Sequence, residues 1–178
     1  MLLFAENSFA LVEPYIIAYG AAALFVFVYF ESFGAPLPGE TAVIAGSLLA
    51  VHGDLSIVAV YLAVLFAGIL GDSTGYVIGR FGGQLLLRRF GPWVKLTPER
   101  LEILERQFRE KGPYLVLIAR FVPLMRQLNG LIAGSMAMPL PIFLAANAAG
   151  CVLWTSVWVL GPYFFSHLFA GWHGHGVH

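Results

Sequence analysis

No lysine or arginine occurs in the first 79 residues of this chain or in the last 52; all ten fall between Arg80 and Arg126. Stretches that long without a cation cannot dress a water-soluble globule, whose residues are about 25% charged. Here charged residues make up 11% of 178, hydrophobic residues 59%, and the mean hydropathy is +0.80. That balance excludes a disordered chain. A formal net charge of zero argues against a nucleic-acid binder, and a single cysteine excludes a disulfide scaffold. The expectation is one all-α integral membrane domain.

A helical crossing takes about 20 apolar residues. Three stretches approach it: 14–30, marginal in length; 57–79, interrupted by Asp72; and 140–168, whose main polar residue is Asn147. Two further apolar stretches are broken. Residues 31–51 hold Pro36, Pro38 and Gly39, and residues 113–138 hold Pro123, Gly130 and Gly134. Each proline removes a backbone donor and pushes the preceding residue away from helix. Both stretches read as re-entrant hairpins, tolerated at membrane depth only where buried in protein or lining a wet cavity.

Between them, residues 80–112 form the soluble-looking loop. Thr97 is a candidate N-cap, Pro98 suits the first helical position, and Gly112-Pro113 is expected to end the helix. Leu101, Leu104 and Phe108 share a face, with Glu102–Arg106 and Glu105–Arg109 as i,i+4 pairs, so this helix is amphipathic. Eight of the ten cations lie here, which places the loop in the cytoplasm by the positive-inside rule. The N-terminus is then cytoplasmic too; its two glutamates and lack of cations do not resemble a cleaved signal peptide. The C-terminal tail, 169–178, falls outside. Hairpin plus crossing thus recurs in opposite orientation, an inverted repeat of the kind seen in secondary transporters. Ala59, Ala63, Ala67, Gly71, Gly75, Gly79 and Gly83 recur every fourth residue, which suits close helix packing within the chain better than a homodimer contact.

Ionisable residues inside apolar sequence carry the most information, because a charge at the bilayer centre costs about 2.5–3.5 kcal/mol on insertion scales. Glu31 and Glu40 bracket the first proline break, and Arg120 and Arg126 bracket the second. If the hairpins meet, these four charges compensate. One reading makes them structural ion pairs; the other makes them a polar cavity. In the second, arginine forks hold a phosphate, and a desolvated glutamate exchanges a proton. Asp72 either lines the same cavity or pairs locally. Asn147 reads as a hydrogen bond between helices rather than as a ligand. Cys151 reads as a packing residue, and His173, His175 and His178 as a tail rather than a metal site. No H-E-x-x-H, no serine with a neighbouring base and no phosphate-binding glycine loop occurs, so an enzyme, a cofactor and a metal are not expected.

Four motifs in order resemble the DedA family, the bacterial branch of the SNARE-associated or VTT-domain membrane proteins. They are Glu31…Pro36-x-Pro38-Gly39-Glu40; Gly71-Asp72…Gly75-Tyr76…Gly79-Arg80; Gly112…Arg120-Phe121-x-Pro123…Arg126; and Ala133-Gly134…Met136…Phe143…Asn147…Gly150…Trp154. The resemblance implies two facing re-entrant hairpins and movement of lipid between leaflets. Its bacterial members are implicated in returning undecaprenyl phosphate to the cytoplasmic leaflet, and its eukaryotic members in scrambling phospholipids. The family's acidic pair falls on Glu31 and Glu40, and its arginine pair on Arg120 and Arg126. The implied setting is the bacterial inner membrane, with a lipid as partner and protons or sodium as coupling ion. The rival expectations are a scaffold protein whose ion pairs are only structural, and a small lipid-modifying enzyme.

Overall fold

The computed structural model describes residues 15–16, 19–90 and 98–165. These are helical except at short breaks, with no strand among them. Six helices follow in order: α1 Ala21–Glu31, α2 Gly39–His52, α3 Ile57–Phe90, α4 Pro98–Ala119, α5 Pro123–Ser135 and α6 Leu140–Thr155. After Thr155 the last helix passes through a π turn, Ser156–Leu160, and continues helically to Phe165.

Proline and glycine chemistry explains most of the boundaries. α1 ends in a turn through Gly34, whose φ of 105° is left-handed, and the chain reaches α2 through two tight turns, Leu37 N donating to Ala35 O at 2.8 Å and Gly39 N to Leu37 O at 3.0 Å. α2 closes on Gly53 at φ 86°, with Gly53 N donating to Ala50 O and Asp54 N to Leu49 O, a Schellman-type stop. Pro123 occupies the first turn of α5, where its missing donor does no harm.

Three expectations are corrected. The stretch 14–30 is not one straight helix, because Gly20 takes a φ of 58° and α1 starts only after it. α3 does not end at Gly79 but runs on to Phe90, 34 residues, or about 51 Å. Nothing in that sequence breaks a helix, and the glycines at 79 and 83 lie against α5 rather than in a turn. Nor do Gly112-Pro113 end α4. Pro113 lies inside a helix that carries on to Ala119, sacrificing one backbone bond. Met138 packs against Gly112 and Val116 is buried, so tertiary contact holds the turn that proline weakens.

Packing divides the molecule into two regions. In the first, α1, α2 and the start of α3 bury Leu24, Val28, Val43, Val60 and Val64 together with Trp154 and Val159. In the second, α3 and α5 lie backbone against backbone. A Cβ on Gly130 would overlap the carbonyl oxygen of Asp72, one on Gly134 that of Tyr76, and one on Gly79 that of Leu131. Only glycine allows that approach. The fourfold small-residue spacing on α3 therefore serves packing within the chain. Tyr76 completes this region, stacking on Phe143 at 4.6 Å.

Among the described residues two helices are long and apolar enough to cross a membrane, Ile57–Gly83 and Leu140–Phe165. Their outer faces show Leu62, Phe66, Leu70 and Ile78, and Ile142, Leu153, Val157 and Phe164, side chains suited to lipid. Helix, break, helix and long helix occur in that order twice.

Candidate functional site

Each break delivers charge to the interior. Glu31 is the last residue of α1, where the negative end of the helix disfavours a carboxylate, and it needs a cation nearby. Arg126, in the first turns of α5, supplies it. One nitrogen, Nη2, donates to Glu31 Oε1 at 3.1 Å, and the other, Nη1, to Glu40 Oε1 at 2.7 Å. Glu40 lies in the first turn of α2, the end that favours an anion. Gly39 lies so close to the Glu31 side chain that a Cβ there would overlap its carboxylate. The pairs differ in access: the Glu31 side chain is 7% exposed and that of Glu40 is 34%.

Arg120 forms a second cluster. Its Nη1 donates both to Asp72 Oδ2 and to Asn147 Oδ1, the latter at 3.0 Å. Asp72 is fully buried and Arg120 nearly so. Room for the guanidinium comes from Gly68, where a Cβ would overlap it, and from Gly150, where a Cβ would touch its stem. Asn147 also donates to Ile69 O at 3.4 Å, and Cys151 Sγ lies 3.7 Å from Asn147 Oδ1. Asn147 thus acts as a hydrogen bond between helices, and Cys151 is buried packing.

The residues singled out in sequence are brought to the interior, in a different pairing. Both glutamates go to Arg126, and Arg120 takes Asp72. The two clusters together therefore hold three carboxylates against two guanidinium groups, a formal charge of −1 instead of the zero that four residues imply, with Glu40 the partly exposed member. Asp72 Oδ1 and Arg120 Nε have no hydrogen-bond partner among the described residues.

Trp154 is the neighbour that sequence reasoning left without a role. Its ring lies under Arg126, 4.6 Å from Cζ to the centroid. The i, i+4, i+7 spacing of Asn147, Cys151 and Trp154 puts all three on one face of α6, behind both arginines. That spacing was legible; its meeting with Arg126 was not.

Other expectations fall elsewhere. The pairs Glu102–Arg106 and Glu105–Arg109, the N-cap at Thr97, and His173, His175 and His178 lie outside the described residues or side chains. Arg106 pairs with Glu110, at 3.2 Å on an exposed face. Among the described residues no group of three His, Cys, Asp or Glu could hold a metal. Two surface grooves, one along Ile16, Leu49, Asp54 and Leu55 and one along Tyr15, Tyr19, Val26 and Phe27, are lined by residues outside the two clusters.

Comparison with known proteins agrees with the motifs. The model of the VTT domain matches residues 37–164. An uncharacterized membrane protein of Synechocystis sp. is 37% identical over 150 residues, covering 84% of this chain and 69% of that protein. One from Mycobacterium bovis is 37% identical over 128 residues, with 70% of this chain and 59% of the relative covered. The Bacillus subtilis membrane protein YbfM is 29% identical over 84% of this chain and 92% of its own length. A Lactococcus lactis relative, 29% identical over 74% of this chain and 64% of its own, bears the name alkaline phosphatase-like protein. No solved structure matches. With 128 matched residues, which include the second break and most of both long helices, the chain belongs to the VTT-domain, or DedA, family of membrane proteins.

Proposed function

We propose that this protein moves a phosphate-bearing lipid between leaflets, with undecaprenyl phosphate as the favoured cargo. The observation that carries this reading is the Arg126–Glu40 pair. A guanidinium fork is already bound to an anion, and that anion, unlike Glu31 or Asp72, is one-third exposed and open to exchange. A headgroup phosphate displacing Glu40 finds a planar donor that stays charged at any relevant pH. The one carboxylate in excess over the two clusters supports coupling to one proton or sodium ion. Arg120, Asp72 and Asn147 hold the second break in place beside this exchange.

In this reading both helix–break–helix units are re-entrant hairpins of opposite orientation within an inverted repeat. The bilayer is the bacterial inner membrane, and residues 80–112 face the cytoplasm, where the cations concentrate. The chain works as a single membrane domain, alone or as a homodimer.

A scaffold role is the second reading, favoured by one observation: both guanidinium groups and all three carboxylates already have partners inside the chain. Proteoliposomes containing labelled undecaprenyl phosphate decide the matter. Protein-dependent movement between leaflets supports transport. Unmoved and unaltered lipid supports the scaffold, and dephosphorylated lipid would make the protein an enzyme.

A further inference from the structure

A guanidinium that trades one carboxylate for a phosphate must not drift while its partners change, and neither Glu40 nor the incoming anion can hold it. The geometry points to Trp154 as the positioning residue that fixes Arg126 through that exchange, and so sets the preference for a phosphate headgroup. The inference rests on the reading of Arg126 as the phosphate-binding cation.

All five N–H donors of a guanidinium lie in its plane. Glu31 and Glu40 take one Nη each, while Cζ lies over the Trp154 ring, 4.6 Å from its centroid. The ring carries no charge and no carboxylate oxygen, so it does not compete with an arriving anion for the cation's charge. Trp gives the strongest such contact of the aromatic side chains, and burial strengthens it by removing water. Here both partners are buried, Trp154 at 2% exposure and Arg126 at 3%.

Trp154 is itself held from several sides. It packs in the core with Val64 and Val159 and lies 6.2 Å from the ring of Trp158. Directly after it the π turn is pinned to two other helices. Ser156 Oγ pairs with Tyr61 OH of α3 at 3.1 Å, and the Val159 carbonyl accepts from Ser47 Oγ of α2 at 2.7 Å. The floor under Arg126 is therefore tied to the same helix that carries Glu40, yet does not depend on the Glu40 carboxylate.

The test measures binding of undecaprenyl phosphate and of uncharged undecaprenol to the full chain in nanodiscs, for wild type, Trp154→Leu, Trp154→Phe and Arg126→Lys. Trp154→Leu should lower the preference for the phosphate about tenfold, and Trp154→Phe about threefold, with undecaprenol binding unchanged. A merely structural tryptophan predicts lower stability with the preference intact. If both Trp154 variants keep the wild-type preference, the inference is overturned. Should the leucine variant not fold, an unchanged preference in the phenylalanine variant overturns it alone. Arg126→Lys separates the two levels. Loss of preference there, with none at Trp154, sinks only the role of Trp154. A wild type that binds both lipids alike, or an Arg126→Lys variant with full preference, sinks the phosphate reading as well.

Discussion

The two arginines perform the same chemistry in opposite surroundings. Arg120 meets Asp72 at the edge of a seam where α3 and α5 touch through backbone, and neither partner reaches solvent. Arg126 meets Glu31 and Glu40 where α2 leans on flexible side chains: a Cβ on Gly39 would meet Glu31, and one on Gly46 would meet Leu24. A charge pair without access can only hold a fold together, whereas a pair with one exposed member can exchange partners. Burial separates lock from site more sharply than residue type does.

Substitutions can break that contrast. Arg120→Ala should have the largest effect, since it leaves Asp72 charged, buried and alone. Breaking a buried pair costs about 3–5 kcal/mol, read as a lower unfolding midpoint in detergent, and Arg120→Met with Asp72→Leu should recover part of it. Gly130→Ala should follow, at about 1–3 kcal/mol by the same measurement, because its methyl group meets the Asp72 carbonyl and wedges the seam apart. Arg126→Lys keeps the charge and loses the fork. Phosphate-lipid affinity should fall about tenfold, or ~1.4 kcal/mol, while most of the stability survives. Glu40→Gln should be mildest in stability, less than about 1 kcal/mol given its exposure, yet it should tighten binding of the phosphate lipid, because a neutral amide competes less for Arg126. Equal losses of stability from Arg120→Ala and Glu40→Gln would erase the distinction between the two clusters.

How much of this was legible in sequence follows from the range of each effect. Pro36, Pro38, Gly39 and Pro123 act on their own backbone, so both breaks could be placed from sequence. Charges inside apolar stretches likewise marked Glu31, Glu40, Asp72, Arg120 and Arg126 as residues that need partners. Which partner each takes depends on the rotation of α3 against the second break, and no local spacing encodes it. Hence Asp72 was left between two roles and Arg120 was set opposite the glutamates. The helix end at Ala119 was missed for a related reason: contact with Met138 overrode the signal at Gly112-Pro113. The bend at Gly20 carries no proline, and a lone glycine in an apolar run gives no warning of left-handed backbone.

The π turn in the last helix has a consequence for insertions and deletions. Buried positions there run 147, 151, 155 and then 159, and the wide turn lies between the last two. The helix holds one residue more than a regular path from Thr155 to Gly161 would need. Removing one residue between Ser156 and Leu160 would restore the regular winding without turning the helix downstream, because the extra residue is already absorbed in the wide turn. Within that turn it would carry the Val159 carbonyl away from Ser47 and leave Asn147, Cys151 and Trp154 where they are. The seat of α2 and the wall behind the arginines are thus separable by a change in chain length alone, with no substitution in either.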